Sequence, residues 1–363
     1  MNKRSIMLVI PTYKSGGMER IMNELGNLWS DQGHHIEILF LVSHKPFYPI
    51  HPKITQIIKP DFRYKKTVLS KIWYSIRLLF FVRRKMSKSK AKAVLSFGEV
   101  YNSFVLLAGL FLGKKIFVSD RNSPFIKRKR HFEWLRNVLY PKAAGIIAQT
   151  EASKDFLLKK TGNPNIKVIP NPVRTFKESK EERRRERNII LNIGRLEKQK
   201  NQIALIRIFK KIGMLDWELH ILGGGSLKKV LENEIERLDL TPYVKLHGIQ
   251  KNVGEFMSRS SIFAMTSIFE GYPNALIEAM AFPLASISYD CDTGPREIIK
   301  NDENGFLVEL NNEEQFAEKL EGLMRLPQKR LMFENESSKL GFKQSLNIIA
   351  EKYLNFLFYE DTN

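Results

Sequence analysis

Short apolar runs alternate with longer amphipathic segments along almost the whole chain, and this alternation restricts the fold more than any other feature of the sequence. Arg4–Pro11 is an apolar run closed by a polar, glycine-bearing turn at Thr12–Gly17, after which Met18–Gln32 spaces Ile21, Leu25 and Trp29 on one helical face. The order is strand, glycine turn, helix. His35–Val42, Lys92–Gly98, Lys115–Ser119 and Gly145–Gln149 read as further strands with helical segments between them. Strands separated in this way pair in parallel and are covered by helices on both faces.

The pattern halts once, at Ile169-Pro170-Asn171-Pro172-Val173, where two prolines in an extended stretch precede the charged run Lys177–Arg187. A domain boundary is expected there. Alternation then restarts with strands at Asn188–Gly194, Glu218–Leu222, Val244–Gly248, Ile262–Thr266, Leu284–Tyr289 and Gly305–Val308. Helices are expected at Asn201–Ile212, Ser226–Leu238, Asn274–Phe282, Pro295–Lys300 and Asn312–Arg325, with a final helix at about Leu340–Phe358. The reading is therefore α/β, with one Rossmann-like domain over 1–170 and a second over 171–339. Open parallel sheets bind ligands at the carboxyl ends of their strands, so the two sites are expected to face one another across a cleft.

Length agrees with this division, since 363 residues at about 150 per domain give two domains. The single cysteine, Cys291, excludes an internal disulfide and a cysteine-rich zinc site. Ile6–Ile10 is too short for the apolar core of a signal peptide, and Phe104–Leu112 is too short to span a bilayer. Charge is the outlier: 59 Lys and Arg against 39 Asp and Glu leave +20. Such a surface attracts phosphates, anionic lipid or nucleic acid, and its sign does not choose among them.

The most informative segment is Phe269-Glu270-Gly271-Tyr272-Pro273-Asn274-Ala275-Leu276-Ile277-Glu278-Ala279-Met280-Ala281. Pro273 suits a first helical turn, and the amides of Asn274, Ala275 and Leu276 then lie at the positive end of the helix dipole. This is a cradle for a diphosphate. Glu278, one turn further on, suits a vicinal diol such as a ribose, and Glu270 lies on the loop beside whatever the phosphate carries. An ordinary capped helix with a solvated glutamate is the alternative reading of these residues alone. Arg195 and Lys200 read either as fixed cations for a leaving diphosphate or as part of a solvated basic cluster with Lys198. Gly16 and Gly17 follow the first strand, where the absence of a Cβ lets backbone approach a phosphate or sugar.

Glu270 and Glu278 within that segment resemble the signature of retaining glycosyltransferases of family 4, and the resemblance extends over nearly the whole chain. Gly194-Arg195-Leu196 with Lys200-Asn201 is similar to the family's diphosphate-binding segment, and Leu222-Gly223-Gly224-Gly225-Ser226 to its glycine turn, with Gly224 where an acidic residue is usual. His247-Gly248-Ile249-Gln250 resembles the stretch whose main chain meets the nucleobase. Thr293–Ile299 resembles the last loop and helix of the pattern, with Pro295 where glycine is commoner. Gly16 and Gly17 stand at the place of the amino-terminal glycine loop, and Arg121, in Ser119-Asp120-Arg121-Asn122, where many relatives carry a histidine.

The resemblance implies a GT-B fold and a retaining, metal-independent transfer of a hexosyl or N-acetylhexosaminyl group from a nucleotide sugar, UDP-linked, to a lipid-diphosphate-linked glycan in cell-surface polysaccharide synthesis. It implies catalytic roles for Glu270, Arg195 and Lys200. Donor contacts fall to Gly16, Gly17, Arg195, Lys200, Ile249, Glu270, Gly271, Tyr272, Asn274, Ala275, Leu276 and Glu278, and acceptor contacts to Asp120, Arg121 and Asn122. No cofactor is expected. Asp290-Cys291-Asp292 spells a metal-binding pattern of another glycosyltransferase fold, but its carboxylates suit loop amides equally well, and no metal is assigned. The final helix, about 340–363, is expected to pack back on the first domain.

Arg63–Lys92 sets eleven Lys and Arg around an apolar stripe of Ile72, Trp73, Ile76, Leu79 and Phe80. The stripe is expected to pack on the first sheet while the cations reach an anionic membrane, with Lys127–Arg130 as a second basic patch. Peripheral attachment at the cytoplasmic face of the inner membrane follows. Other classes remain: a nucleic-acid- or membrane-binding protein without catalysis, motivated by the charge but lacking a reading module; a dinucleotide oxidoreductase, motivated by the sheets but lacking G-x-G-x-x-G; and a non-catalytic scaffold.

Overall fold

The computed structural model describes residues 3–11, 16–42, 47–61, 65, 67–121, 123, 125–126, 128–174, 188–213, 216–282 and 284–359. The Thr12–Ser15 part of the first turn, Asn122, Lys127 and the charged run Lys177–Arg187 lie outside them. The chain divides into two units, one of Met1–Pro172 with Leu346–Asn363 and one of Val173–Ser345.

In the first unit the order is β1 (Ser5–Ile10), α1 (Gly17–Asp31), β2 (His35–Phe40), β3 (Thr55–Ile58), α2 (Val68–Lys88), β4 (Ala93–Phe97), α3 (Glu99–Gly109), β5 (Lys115–Ser119), α4 (Arg130–Leu139), β6 (Gly145–Ala148), α5 (Glu151–Thr161) and β7 (Ile166–Val168). The seven strands form one parallel sheet in the order β3-β2-β1-β4-β5-β6-β7. Because successive side chains of a strand point to opposite faces, β1 feeds two cores. Ile6, Leu8 and Ile10 pack with Ile21, Leu25 and Trp29 of α1, whereas Met7 and Val9 pack with Leu78, Val82 and Met86 of α2 and Val105 of α3.

The second unit runs β8 (Ile189–Ile193), α6 (Gln202–Ile212), β9 (Glu218–Leu222), α7 (Lys228–Arg237), β10 (Val244–Gly248), α8 (Val253–Arg259), β11 (Ile262–Met265), α9 (Asn274–Ala281), β12 (Ala285–Asp290), α10 (Pro295–Ile298), β13 (Phe306–Glu309), α11 (Glu313–Arg325) and α12 (Pro327–Lys343). Its six parallel strands are ordered β10-β9-β8-β11-β12-β13. The order of connection reverses between β8 and β11, and loops on either side of such a reversal leave room for a ligand.

Two expectations are corrected here. The last helix starts later than expected: α13 (Leu346–Leu357) packs on α1 in the first unit, while Leu340–Lys343 end a separate helix, α12, which packs on α9 in the second. The break at Gln344, with φ −119° and ψ 29°, involves neither glycine nor proline and leaves no local signal. The apolar stripe of α2 also faces the other way. Its buried positions are Leu78, Val82 and Met86, while Ile72, Trp73, Ile76 and Phe80 are exposed. Only Leu79 of the expected stripe packs on the core.

Tyr353 fixes α13. Its ring stands edge-on to Trp29 and stacks on Phe97, both at 6.3 Å between centroids, and its hydroxyl accepts from Arg121 Nη1 at 3.0 Å. Tyr353→Phe keeps the ring and removes the acceptor of a buried cation, so it should destabilise the first unit by about 1–3 kcal/mol. Urea unfolding should show that loss; an unchanged midpoint would mean that the guanidinium needs no hydroxyl.

Candidate active site

The loops at the carboxyl edge of the second sheet carry most of the residues singled out in the sequence. β8 pairs with β9 on one side and β11 on the other, which brings the loop 194–201 between the glycine turn 223–225 and the loop 266–273. Residues far apart in the chain therefore meet for a topological reason.

The contact that defines the site is an ion pair. Lys200 Nζ lies 2.6 Å from Glu270 Oε1, with the two side chains only 17% and 7% exposed. A charge taken from water at such a depth needs an opposite charge at contact, and each residue supplies it to the other. Both ends are braced through the backbone. Thr266 Oγ1 donates to the Asn201 carbonyl at 2.9 Å, Ile268 N–H donates to the Gln199 carbonyl at 2.8 Å, and Thr293 Oγ1 donates to the Glu270 carbonyl.

Arg195 is exposed beside this pair. Its Nη2 donates to Gln199 Oε1 at 3.2 Å, and the Gln199 amide nitrogen donates to the Phe269 carbonyl at 2.9 Å. Gln202 Nε2 holds the Arg195 carbonyl at 3.0 Å. Gln199 thus links the cation of one loop to the backbone of the other. Local sequence gave no sign of it, since it sits between two lysines and belongs to no pattern.

Glycine is required in the turn after β9. A Cβ on Gly223, whose φ is +144°, would lie 1.9 Å from the Gly194 carbonyl oxygen, and one on Gly225 would lie 2.4 Å from that of Leu196. The backbone of the turn is packed directly on the loop that carries Arg195, and Leu196 N–H donates to Gly224 O at 3.1 Å. Ile249, 67% exposed, lies over Gly224, where a Cβ would approach its side chain to 3.0 Å.

On the other side of the ion pair, Gly271, Tyr272 and Pro273 lead into α9. The helix bonding begins with Ile277 N–H to the Pro273 carbonyl at 3.2 Å, so the amides of Asn274, Ala275 and Leu276 belong to the first turn, at the positive end of the dipole. Glu278 lies one turn further along α9, partly exposed. Tyr272 is buried, and its hydroxyl pairs with the Gln344 side chain.

Of the Asp-x-Asp sequence, Asp290 is held by Arg296 through two bonds of 2.8 and 3.1 Å, and Asp292 is exposed. Among the described residues no cluster of three or more histidine, cysteine, aspartate or glutamate side chains is arranged for a metal ion. Cys291 between the two aspartates is fully buried, and its burial together with the Glu270 carboxylate pushes the thiol up to about 12.

The first-unit candidates are distributed differently. Gly16 is the residue before α1, in extended backbone, and a Cβ there would meet only the far end of the Glu19 side chain, its carboxylate oxygen at 2.1 Å, which can move aside. Gly17 opens the helix and is exposed. Asp120 is buried at the end of β5. Arg121 is occupied internally: its guanidinium bonds Tyr353 and Asn171 and lies 4.8 Å from the centre of the Phe97 ring, and burial pushes its pKa down. Its side chain ties α13 and the 169–173 stretch to the sheet. Asn122 lies outside the described residues.

Comparison with known proteins places this geometry in context. Residues 15–176 match the model described as Glycosyltransferase Family 4, and 173–340 match that described as Glycosyl transferases group 1. The chain is 28% identical to amylovoran biosynthesis glycosyltransferase AmsD of Erwinia amylovora, over 97% of this chain and 99% of the relative. It is 30% identical to the N-acetylgalactosamine-N,N'-diacetylbacillosaminyl-diphospho-undecaprenol 4-alpha-N-acetylgalactosaminyltransferase of Campylobacter jejuni, over 70% of this chain and 73% of that one. Among solved structures, HepE of Anabaena in complex with UDP superposes with a TM-score of 0.78 at 15% identity, over 97% and 99% of the two chains.

The buried thiol provides a test of the site's packing. Its high pKa leaves almost no thiolate near neutrality, so Cys291 should resist alkylation by iodoacetamide at about pH 8 until the second unit is unfolded. Mass spectrometry of the native protein checks this, and rapid native labelling would contradict the packing around Glu270.

Proposed function

The chain belongs to glycosyltransferase family 4, among the group 1 glycosyl transferases, and from that premise we propose that it moves a hexosyl or N-acetylhexosaminyl group, with retention, from a UDP-linked sugar to a glycan carried on a lipid diphosphate. It has the GT-B fold of its structural neighbours. The observation that carries the donor half of the reading is the buried Lys200–Glu270 pair with Arg195 beside it, set next to the amino-terminal turn of α9. UDP in the HepE structure and the diphospho-undecaprenol in the name of the Campylobacter relative support the base and the acceptor class.

In this scheme the donor diphosphate rests on the first-turn amides of α9, where the dipole favours negative charge, and Glu278 accepts hydrogen bonds from the ribose hydroxyls. Gly16 and Gly17 are donor contacts in this reading, and the backbone beside Ile249 meets the base. The acceptor hydroxyl attacks the anomeric carbon on the side from which the diphosphate leaves. The bond from that carbon to the diphosphate oxygen breaks, a glycosidic bond forms, and the hydroxyl proton passes to the departing diphosphate.

Charge developing on the leaving oxygens is met by Lys200 and Arg195, fixed cations that need no reorganisation at that moment. No metal ion is required in the proposed scheme. As the diphosphate engages Lys200, the Glu270 carboxylate turns to a sugar hydroxyl or to the positive charge developing at the anomeric centre. Acceptor contacts are assigned to Asp120 and, since its side chain is engaged by Tyr353 and Asn171, to the main chain of Arg121. A lipid-linked acceptor places the enzyme at the cytoplasmic face of the inner membrane, in polysaccharide assembly.

A thermal-shift panel of UDP, GDP, ADP and their sugars tests the reading. UDP or a UDP-sugar should stabilise the protein most. Arg195→Ala and Glu278→Ala should each weaken that binding by about 1.5–3 kcal/mol, or about ten- to a hundredfold. No response to any nucleotide, or unchanged affinity in both variants, would remove the site assignment. Retention is checked separately by NMR of the product, where an inverted anomeric configuration would refute it.

A further inference from the structure

The outward face of α2 is unlike that of any other helix in the first unit. Leu69, Ile72, Trp73, Ile76 and Phe80 follow one helical face and are exposed by 75, 51, 66, 40 and 66%. They lie opposite Leu78, Val82 and Met86, through which the helix is anchored to the sheet. The same 21-residue helix carries Lys71, Arg77, Arg83, Arg84, Lys85 and Lys88 and no acidic residue.

A second observation continues the surface. Phe111, in the turn after α3, is 95% exposed and holds φ at +62°, a left-handed conformation that strains a bulky residue. Arg83 of α2 fixes the turn from beneath by donating to the carbonyls of Ala108 and Leu110 at 3.0 and 2.7 Å. A strained phenylalanine that buries nothing within its own chain is spent on something outside it. Trp134 of α4, 63% exposed, lies in the same layer, since α2 packs on α3 and α3 on α4.

We propose that this α2 face, extended by Phe111 and Trp134, is a docking surface for an anionic bilayer, with the apolar stripe lying in the interface and the cations at the level of the lipid phosphates. The choice of partner follows from charge. A second copy would bring the exposed Lys71, Arg77, Arg84 and Lys88 of one α2 against the same cations of the other, and a duplex nucleic acid, its bases stacked inside, offers the aliphatic Leu69, Ile72 and Ile76 no apolar surface. An exposed helical face of apolar and aromatic side chains flanked by lysine and arginine fits an anionic lipid surface, and no helix among the described residues is long and apolar enough to cross one.

The docked orientation has a consequence for the acceptor. α2 links the carboxyl end of β3 to the amino end of β4, so its exposed first half lies toward the carboxyl edge of the first sheet, the edge at which Gly16 and Arg121 stand. Docking through α2 holds that edge near the lipid phosphates. This last step rests on the lipid-linked acceptor of the proposed function; the docking surface itself does not.

Co-sedimentation of the full chain with vesicles, without donor or acceptor, separates the two. Vesicles of equal parts phosphatidylcholine and phosphatidylglycerol should bind the protein, phosphatidylcholine alone should bind it about tenfold or more weakly, and added salt should release it. Ile72→Ser, Trp73→Ser and Phe80→Ser combined alter only exposed positions and should reduce binding to anionic vesicles about tenfold or more while leaving the thermal shift with UDP unchanged. Equal binding by this variant, no preference for anionic lipid, or concentration-dependent self-association lost in the variant would each overturn the proposal. Vesicle binding with no response to any nucleotide would leave it standing and remove the transferase reading instead.

Discussion

The site depends on one buried ion pair. Lys200 and Glu270 stand 70 positions apart in the sequence, and neither tolerates its degree of burial without the other. The pair is a fastening as well as a reservoir of charge, because it joins the loop that carries Arg195 to the loop that leads into α9. Gln199, Thr266 and Thr293 repeat the connection through the backbone. In the proposed scheme the donor diphosphate exchanges one partner of Lys200 for another instead of ordering a loose surface lysine, which lowers the entropic cost of assembly.

Behind the pair is the parallel sheet. Only the adjacency of β8 and β11 brings their carboxyl ends together, and only glycine at 223 and 225 lets the intervening turn settle on the Arg195 loop. The bulk of the unit, from Ile190 and Leu219 to Phe316, has the task of making that edge rigid. The first unit solves a different problem with the same architecture. Its sheet is sandwiched between α1 with α13 on one side and α2 with α3 on the other, and Arg121 is used to hold α13 and the 169–173 stretch in place.

Much of this was legible beforehand. Strands such as β1 and β5 are short apolar runs between turn signals, and their positions matched the reading within a residue or two because burial on both faces leaves no polar position to confuse the pattern. The short edge strands β3 and β7 escaped notice because they are largely exposed and few residues long. The expected helix at about 340–358 joins the last turn of α12 to α13 because their junction at Gln344 contains no breaker, and the rest of α12, from Pro327 on, has no counterpart in the sequence reading. The stripe of α2 is legible in the sequence but its side is not, since amphipathicity says that a helix has two faces and not which one meets the core when both carry apolar residues.

The sequence by itself determined the α/β alternation, the two-part division and the residue types that suit a diphosphate, because hydrophobic period, glycine turns and the Glu270–Glu278 segment are local properties. Tertiary structure alone decided which of those residues meet. Lys200 reaches Glu270 through strand order, Gln199 bridges two loops that no local pattern connects, and Arg121 turns inward because Tyr353, 232 positions away, offers its hydroxyl. Contacts across such separations are set by how strands are ordered and helices return, and no window of neighbouring residues contains that information.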